Sequence, residues 1–380
     1  MNAPKPSLEL LRGLTDENVL RLLMAHDRLT RAEIATRSGI SKPTISESVQ
    51  RLEQARLVVD TGERTTGRGR VGSYYALAPH LGTALVASIT PHGVIAETVD
   101  ALGRTHGQVR IALAADAGQE AAAEALAAAA AELDDKASGG LRLAVVSAAD
   151  PVDRATGRLV HLPDAPFLVG ALDPPAVLAG TVTGPVLVDN DVNWAARAEY
   201  EIGCAQGVDD FVYLHLGEGL GCAVVSDGVV RRGHRGLVGE IAHLYTAGPD
   251  GQAMAFTEVF AALGLRRASS TAVDVPRLLD LLEATDAGAE RVRTTLAQAV
   301  GGVLAAALSL ADPRTVVLGG SWGAHPRLVT AIEEHVTRSP RSVPLSAAAL
   351  PLPELTGART RAVDELGSLI VRAAHPTTQW

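Results

Sequence analysis

A short segment near the N-terminus combines small hydroxyls with one cation, and this combination suits contact with phosphate. It reads Ser41-Lys42-Pro43-Thr44 and lies at the predicted start of a helix. Hydroxyl groups, Lys side chains and helix N-termini all bind phosphate oxygens well. A later loop places Arg68 and Arg70 between glycines, and such Arg side chains enter narrow minor grooves, where the potential is most negative. Double-stranded DNA is therefore the expected partner of this region.

Two short helices are predicted to position these residues. Thr30-Arg31-Ala32-Glu33 has the form of a capping box, which starts a helix. Gly39 then suits a tight turn because it tolerates positive φ. Ser41 is the expected N-cap of the next helix, in whose first turn Pro43 is tolerated. This helix carries an apolar stripe at i, i+4 and i+7, formed by Ile45, Val49 and Leu52. The pattern predicts a helix-turn-helix with its second helix in the major groove.

A preceding helix over 16–26, with Thr15 as N-cap, and two strands at 57–59 and 74–77 complete a predicted winged helix-turn-helix over residues 1–80. Pro79 marks its boundary. A small helical domain with a solvated basic loop is the alternative that the residues leave open. The residues expected to contact DNA are Arg31, Ser41, Lys42, Pro43, Thr44, Ser46, Gln50, Arg51, Arg68 and Arg70.

Charge divides the chain into a basic head and an acidic body. Residues 1–80 hold 12 Lys and Arg against 9 Asp and Glu, and the other residues hold 22 against 34, so the net charge of −9 conceals a head of +3. Two cysteines are too few for a disulfide framework. We find no signal-peptide pattern and no apolar run near the ~20 residues of a membrane span. We therefore expect a cytoplasmic protein with no membrane partner.

Residues 81–380 alternate between strand and helix patterns, which predicts an α/β fold. The expected helices cover 119–133, where Ala is frequent, and 294–310. A chain of 380 residues suggests two or three domains. The expected strands cover 84–89, 143–147, 186–188, 211–216 and 315–318.

Several motifs, in order along nearly the whole chain, resemble the ROK family of repressors, open reading frames and sugar kinases. The resemblance implies an actin-like, ribonuclease-H-like fold with two lobes and a ligand cleft near residues 190–258. The matching segments are the helix-turn-helix and wing loop above, Asn190-Asp191-Val192-Asn193, Leu216-Gly217-Glu218-Gly219-Leu220-Gly221, Gly239-Glu240-Ile241-Ala242-His243 and Val316-Val317-Leu318-Gly319-Gly320.

The resemblance also implies a role for individual residues. Asp191 occupies the position of the kinase base, which accepts a proton from a sugar hydroxyl during phosphoryl transfer. Mixed carboxylate and amide groups suit a polyol, because each hydroxyl both donates and accepts. The residues that the resemblance assigns to ligand binding are Asp164, Asn190, Asp191, Glu240, His243 and Glu258.

Three departures from the family pattern favour a regulator without catalysis. Residues 86–93 lack the aspartate of the phosphate turn, and Pro91 removes a backbone donor from it. No cysteine lies between His243 and Glu258, so we predict no structural zinc and no other cofactor. Asp150 stands where the family usually has Gly, and it would disfavour a nucleotide phosphate.

We therefore expect a repressor of carbohydrate-metabolism genes that responds to a sugar or sugar phosphate, with no catalytic residue. The family resemblance implies a homodimer or homotetramer, which suits a palindromic operator. Two alternatives remain open: an active sugar kinase with a fused DNA-binding head, and a constitutive DNA-binding or scaffolding protein whose cleft is vestigial.

Overall fold

Three helices and a three-stranded sheet form the N-terminal head. The computed structural model describes residues 8–66, 71–114, 117–162, 170–268, 270–338 and 341–374. The sheet has the order β1-β3-β2, and all its strands pair antiparallel. The elements are α1 (Leu8–His26), β1 (Arg28–Thr30), α2 (Arg31–Ser38), α3 (Lys42–Gln54), β2 (Val58–Arg64) and β3 (Ser73–Leu77).

The local signals in the head sequence are confirmed at α2 and α3. Thr30 and Glu33 form the reciprocal capping box at the start of α2, and Gly39 ends that helix at φ 72°. Ser41 caps α3, whose apolar stripe is at most 1% exposed. Thr15 is not an N-cap, because the Leu-rich segment before it continues the helix; its hydroxyl donates to the Leu11 carbonyl from inside α1.

The body consists of two lobes whose sheets share one topology. Each sheet has three antiparallel strands followed by two parallel ones, in the orders β6-β5-β4-β7-β8 and β11-β10-β9-β14-β15. This repetition confirms the predicted two-lobed α/β class. The first sheet comprises β4 (Thr83–Thr90), β5 (Gly93–Val99), β6 (Thr105–Ala112), β7 (Leu141–Ala148) and β8 (Val186–Asn190). The second comprises β9 (Phe211–Leu216), β10 (Leu220–Ser226), β11 (Val229–Val230), β14 (Thr315–Gly319) and β15 (Leu345–Ala347).

Helices cover both sheets. A small hairpin also joins the second lobe. The helices of the body are α4 (Gln119–Leu133), α5 (Pro174–Leu178), α6 (Asp191–Glu201), α7 (Phe256–Ala262), α8 (Val275–Glu283), α9 (Ala287–Ala311), α10 (Pro326–Val336) and α11 (Pro353–Ala374). The hairpin consists of β12 (Tyr245–Ala247) and β13 (Ala253–Ala255). Helix α9 begins earlier than predicted because the Asp286 side chain caps it.

Helix α11 joins the head to the first lobe. Its buried side chains belong to the same apolar cluster as the head core and as Trp194 of α6. Gly357 allows α11 to approach α6 closely, since a Cβ there would lie 2.1 Å from the Trp194 carbonyl oxygen. Across the sheet, Arg359 donates two hydrogen bonds of 2.6 Å to the buried Glu97 carboxylate. The helix that supports α6 therefore also supports the head.

Among the residues that the structure describes, α9 alone is long and apolar enough to cross a membrane. Leu296, Val300 and Leu304 of this helix are buried in the core of the second lobe. Their packing is that of a core helix.

Candidate functional site

The cleft site is built where β8 ends and α6 begins. The Asn190 side chain caps α6 by accepting from the Val192 amide at 3.0 Å, and its Nδ2 donates to the Asp150 carbonyl at 3.2 Å. Asp189, 3% exposed, accepts hydrogen bonds from the Asn190 amide and from Asn193 Nδ2. These bonds fix the turn from β8 to α6, so Asp191, the first residue of α6, stands at the positive end of the helix dipole.

Sequence reasoning missed the role of Asp189. Its carboxylate also pairs with Arg197 at 3.3 Å and with Arg232 at 3.2 Å. The partners lie 8 and 43 positions further along the chain, so no local pattern links them. Asp189 is therefore a positioning residue beneath the site.

Three carboxyl groups converge in the cleft. Asp150 is 3% exposed, and burial together with the charges of Asp191 and Glu240 raises its pKa to about 7. Enclosure by the cleft raises the pKa of Asp191 to about 7 as well. Glu240 reaches solvent at the cleft mouth, yet the surrounding walls and the charge of Asp191 raise its pKa to about 7. The cleft therefore presents three carboxyl groups that can accept hydrogen bonds from a ligand.

The cavity between the lobes measures about 110 Å³ and opens to solvent. Residues of both lobes and of the first turn of α6 line it. Burial lowers the pKa of His215 in its floor, which favours the neutral imidazole. Of the predicted ligand-binding residues, four line it: Asn190, Asp191, Glu240 and His243.

Two of the predicted ligand residues are not among the described residues that line the cavity. Glu258 is exposed and pairs with Arg266 at 2.9 Å, and it is not among the residues that face the cavity. Asp164 lies outside the described residues, although Leu162, just before that segment, reaches the cavity. Among the described residues, the cavity lining therefore contains four of the five predicted ligand residues, and it also contains Asp150.

The turn that follows β4 faces the glycine-rich loop that follows β9. The Thr90 hydroxyl donates to the Gly93 carbonyl at 3.1 Å and accepts from the His92 amide at 3.3 Å. His92 Nε2 lies 3.3 Å from a Glu218 carboxylate oxygen, and Glu218 also pairs with Arg267. An acidic side chain thus occupies the space between this turn and the opposite lobe.

The head presents the start of α3 to solvent. Ser41, Lys42, Pro43 and Thr44 are exposed, as is Gln50, and Ser46 is half-buried. The Ser41 hydroxyl is shared, since it lies 2.8 Å from the Thr44 hydroxyl and caps the helix. This exposed turn has the groups that phosphate contact requires.

Two residues that were predicted to contact DNA form ion pairs within the head. Arg51 does not simply face outward, because its guanidinium donates to the buried Asp16 carboxylate at 2.6 and 3.2 Å. Arg31 is half-buried, lies 4.7 Å from the Tyr75 ring centroid and pairs with Glu53. Arg68 and Arg70 of the predicted wing loop lie outside the described residues.

These features define a class: a two-lobed sugar-kinase-like body that carries a winged helix-turn-helix head. Comparison with known proteins agrees, since a model of winged helix-turn-helix DNA-binding domains matches residues 14–59. The model of the ROK family matches residues 94–350. The chain belongs to the ROK family.

Solved structures share this architecture. A ROK family transcriptional regulator, a homologue of the E. coli MLC protein, superposes with a TM-score of 0.65 over 95% of this chain and 99% of its own, at 18% identity. A ROK hexokinase from Thermus thermophilus gives a TM-score of 0.57 over 75% of this chain and 99% of its own, at 28% identity. The regulator match extends over the head as well as the body.

Curated relatives match only part of this chain. The β-glucoside kinase of Listeria monocytogenes is 28% identical over 40% of this chain and 55% of its own length. The bifunctional enzyme NanE/NanK of Brucella melitensis is 28% identical over 38% of this chain and 28% of its own. The chain thus spans between about a quarter and about half of these relatives.

Proposed function

We propose that this protein is a transcription regulator, in the first instance a repressor, of carbohydrate-metabolism genes that responds to a sugar bound in its cleft. The observation that carries the proposal is the union, in one chain, of an exposed helix-turn-helix start with a kinase-like cleft. The named regulator among its structural neighbours has both parts, and the kinases match the body alone.

The shared packing around α11 supports communication between the two parts. This helix contacts α6, which begins with Asp191 in the cleft, and it contacts α1 of the head. A ligand that closes the cleft shifts the head only if it binds two conformations with different affinity. We divide the chain into a DNA-binding domain at 1–80 and a ligand-binding domain at 81–380, although α11 returns to the head.

The DNA role is tested by charge removal at the start of α3. Lys42→Ala is expected to weaken binding to all duplexes about equally and to reduce the salt slope by about one counterion. Arg68→Ala with Arg70→Ala tests the wing in the same assay. Glu9→Ala, in the first turn of α1, is a control at a residue that is not among the predicted DNA contacts. Unchanged affinity and salt slope in both DNA-site variants would contradict the proposed interface.

A homodimer or homotetramer is part of the proposal. Two heads related by a two-fold axis would read a palindromic operator, whose half-sites lie one or two helical turns apart. Sedimentation of the free protein and of its DNA complex gives the number of copies. A single copy bound to one half-site would remove this part of the proposal.

A sugar kinase is the second candidate function. The Asp191 carboxyl at the N-terminus of α6 favours it, because its pKa of about 7 suits a general base. The acidic Glu218 between the lobes and the Pro91 turn weigh against phosphate binding. Sugar-dependent ATP consumption that Asp191→Asn abolishes would establish the kinase.

A further inference from the structure

One buried acceptor in the cleft has no hydrogen-bond partner among the residues that the structure describes. This atom, Asp150 Oδ2, is inaccessible to solvent. The side-chain Nδ2 of Asn190 donates to the Asp150 backbone carbonyl at 3.2 Å and not to the carboxyl. A buried polar atom of this kind costs stability unless something satisfies it. Because Asp150 lines the cavity, its carboxyl is placed to accept a hydrogen bond from a molecule bound there.

The charged groups that act on the Asp150 carboxyl are both acidic. Asp191 and Glu240 line the same cavity and lie close enough for their charges to raise the pKa of Asp150. No Lys or Arg occurs among the described residues of the lining, and no described cation forms an ion pair with any of these three carboxyls. The other acidic residue of the wall, Glu218, is already paired with Arg267.

The surplus of negative charge favours one chemical group. A protonated primary amine has three N–H donors and a positive charge, so it can donate to Asp150 and offset the charges of Asp191 and Glu240. A neutral hydroxyl can donate to one carboxyl but brings no charge to offset the others. A phosphate or carboxylate on the ligand would meet these carboxyls with no described Lys or Arg in the lining to offset its charge, and burying like charges together is costly.

We propose that the cleft selects an amine-bearing sugar, whose ammonium donates to the Asp150 carboxylate and is further attracted by the charges of Asp191 and Glu240. This inference rests on the proposed sugar-responsive function and narrows its effector to a cationic ligand. The expectation of a sugar-phosphate effector is not retained under this proposal. Asp150 is then the residue that sets specificity.

The test compares matched sugars on the full-length protein by titration calorimetry at about pH 7. Each series contains the parent hexose, the 2-amino-2-deoxy sugar and its N-acetyl derivative, in the gluco, galacto and manno forms. We expect the free amine of one series to bind at least about tenfold more tightly than both neutral members, since charge-assisted hydrogen bonds are about twice as strong as neutral ones. This comparison needs no variant.

Variants assign the preference to the residue. Asp150→Asn is expected to reduce the preference to within about threefold, by removing the charge at similar size. Asp153→Asn is the matched control, since it makes the same change three residues away on an exposed turn outside the cavity lining. Circular dichroism establishes that both variants fold.

Several outcomes would overturn the proposal. These are equal binding of the amine and its neutral parents, tighter binding of a 6-phosphate, no heat from any amino sugar, a preference that survives Asp150→Asn, or Mg²⁺ alone displacing the amine. The proposed regulatory function fails separately. If the amine binds with the expected preference but leaves DNA affinity unchanged, the proposed ligand class stands and the regulatory role fails. If only a neutral sugar releases DNA, the regulatory role stands and the proposed ligand class fails.

Discussion

Replacing Asp16 by Ala should loosen α3, the helix that we propose reads DNA, from the rest of the head. The Asp16 carboxylate is 2% exposed; it accepts from the Ser48 hydroxyl at 2.5 Å and from two nitrogens of Arg51. Without it, the Ser48 hydroxyl, 0% exposed, loses this bond, which costs about 1–2 kcal/mol. The Arg51 side chain is 33% exposed and can bond to water instead, so the loss of its ion pair with Asp16 adds about 0.5–1 kcal/mol. The expected total is about 2 kcal/mol.

Hydrogen exchange followed by mass spectrometry measures this change where it occurs. A local loss of about 2 kcal/mol increases the opening equilibrium of α3 about 30-fold, so its amides should exchange faster by that factor. Glu17→Ala is the matched control, because Glu17 is the next residue and forms only an exposed i, i+4 pair with Arg21. Equal exchange of α3 in the two variants would refute the reasoning.

Three further predictions concern the body. Gly357→Ala should lower the melting temperature strongly, because its Cβ meets a backbone oxygen of α6 at 2.1 Å, whereas Gly367→Ala meets a flexible Met side chain at 3.2 Å and should change little. Arg359→Met should cost about 3 kcal/mol in chemical denaturation by stranding the buried Glu97 charge, and a cost below about 1 kcal/mol would contradict this. Asp150→Asn should stabilise the protein by roughly 1–3 kcal/mol at pH 8. The folded pKa of about 7 exceeds the unfolded value of 3.8, so the native state binds more protons between these values and its stability falls as pH rises from about 4 to 7. Asp150→Asn should therefore lose the fall in stability between about pH 4 and pH 7. A profile of stability against pH that the substitution leaves unchanged would contradict the raised pKa of Asp150.

Local signals in the sequence were enough to predict several of the elements. The capping box at Thr30 and the N-cap at Ser41 need only side chains within three positions, and both are confirmed. The predicted strand at 211–216 and the Ala-rich helix at 119–133 have the predicted bounds. Both were predictable because the hydrophobic pattern and helix propensity act over the same short range.

Long-range partners could not be predicted in the same way. Arg51 was expected to contact DNA because it lies off the apolar stripe of α3, but it pairs with Asp16, which lies 35 positions away. Helix α11 was not predicted, and its place beside both α1 and α6 depends on packing across the whole chain. Tertiary contacts of this kind override local pattern.

The candidate site shows the same division. The order of motifs predicted that Asn190, Asp191 and Glu240 converge, and they line one cavity. Glu258 was assigned from motif order alone, and its ion pair with Arg266 depends on the loop after α7. The unsatisfied carboxyl of Asp150 was visible only in the structure, because satisfaction depends on every neighbour at once.

The most direct test of the account is whether a ligand in the cleft changes affinity for DNA. Purified full-length protein is footprinted on genomic DNA at fixed salt, and fluorescence anisotropy then measures Kd at the strongest site across the sugar panel. We predict a discrete palindromic site whose Kd changes at least about fivefold with one sugar, and an Asp191→Asn variant that binds DNA but no longer responds. Sequence-indifferent binding that no sugar alters would contradict the account.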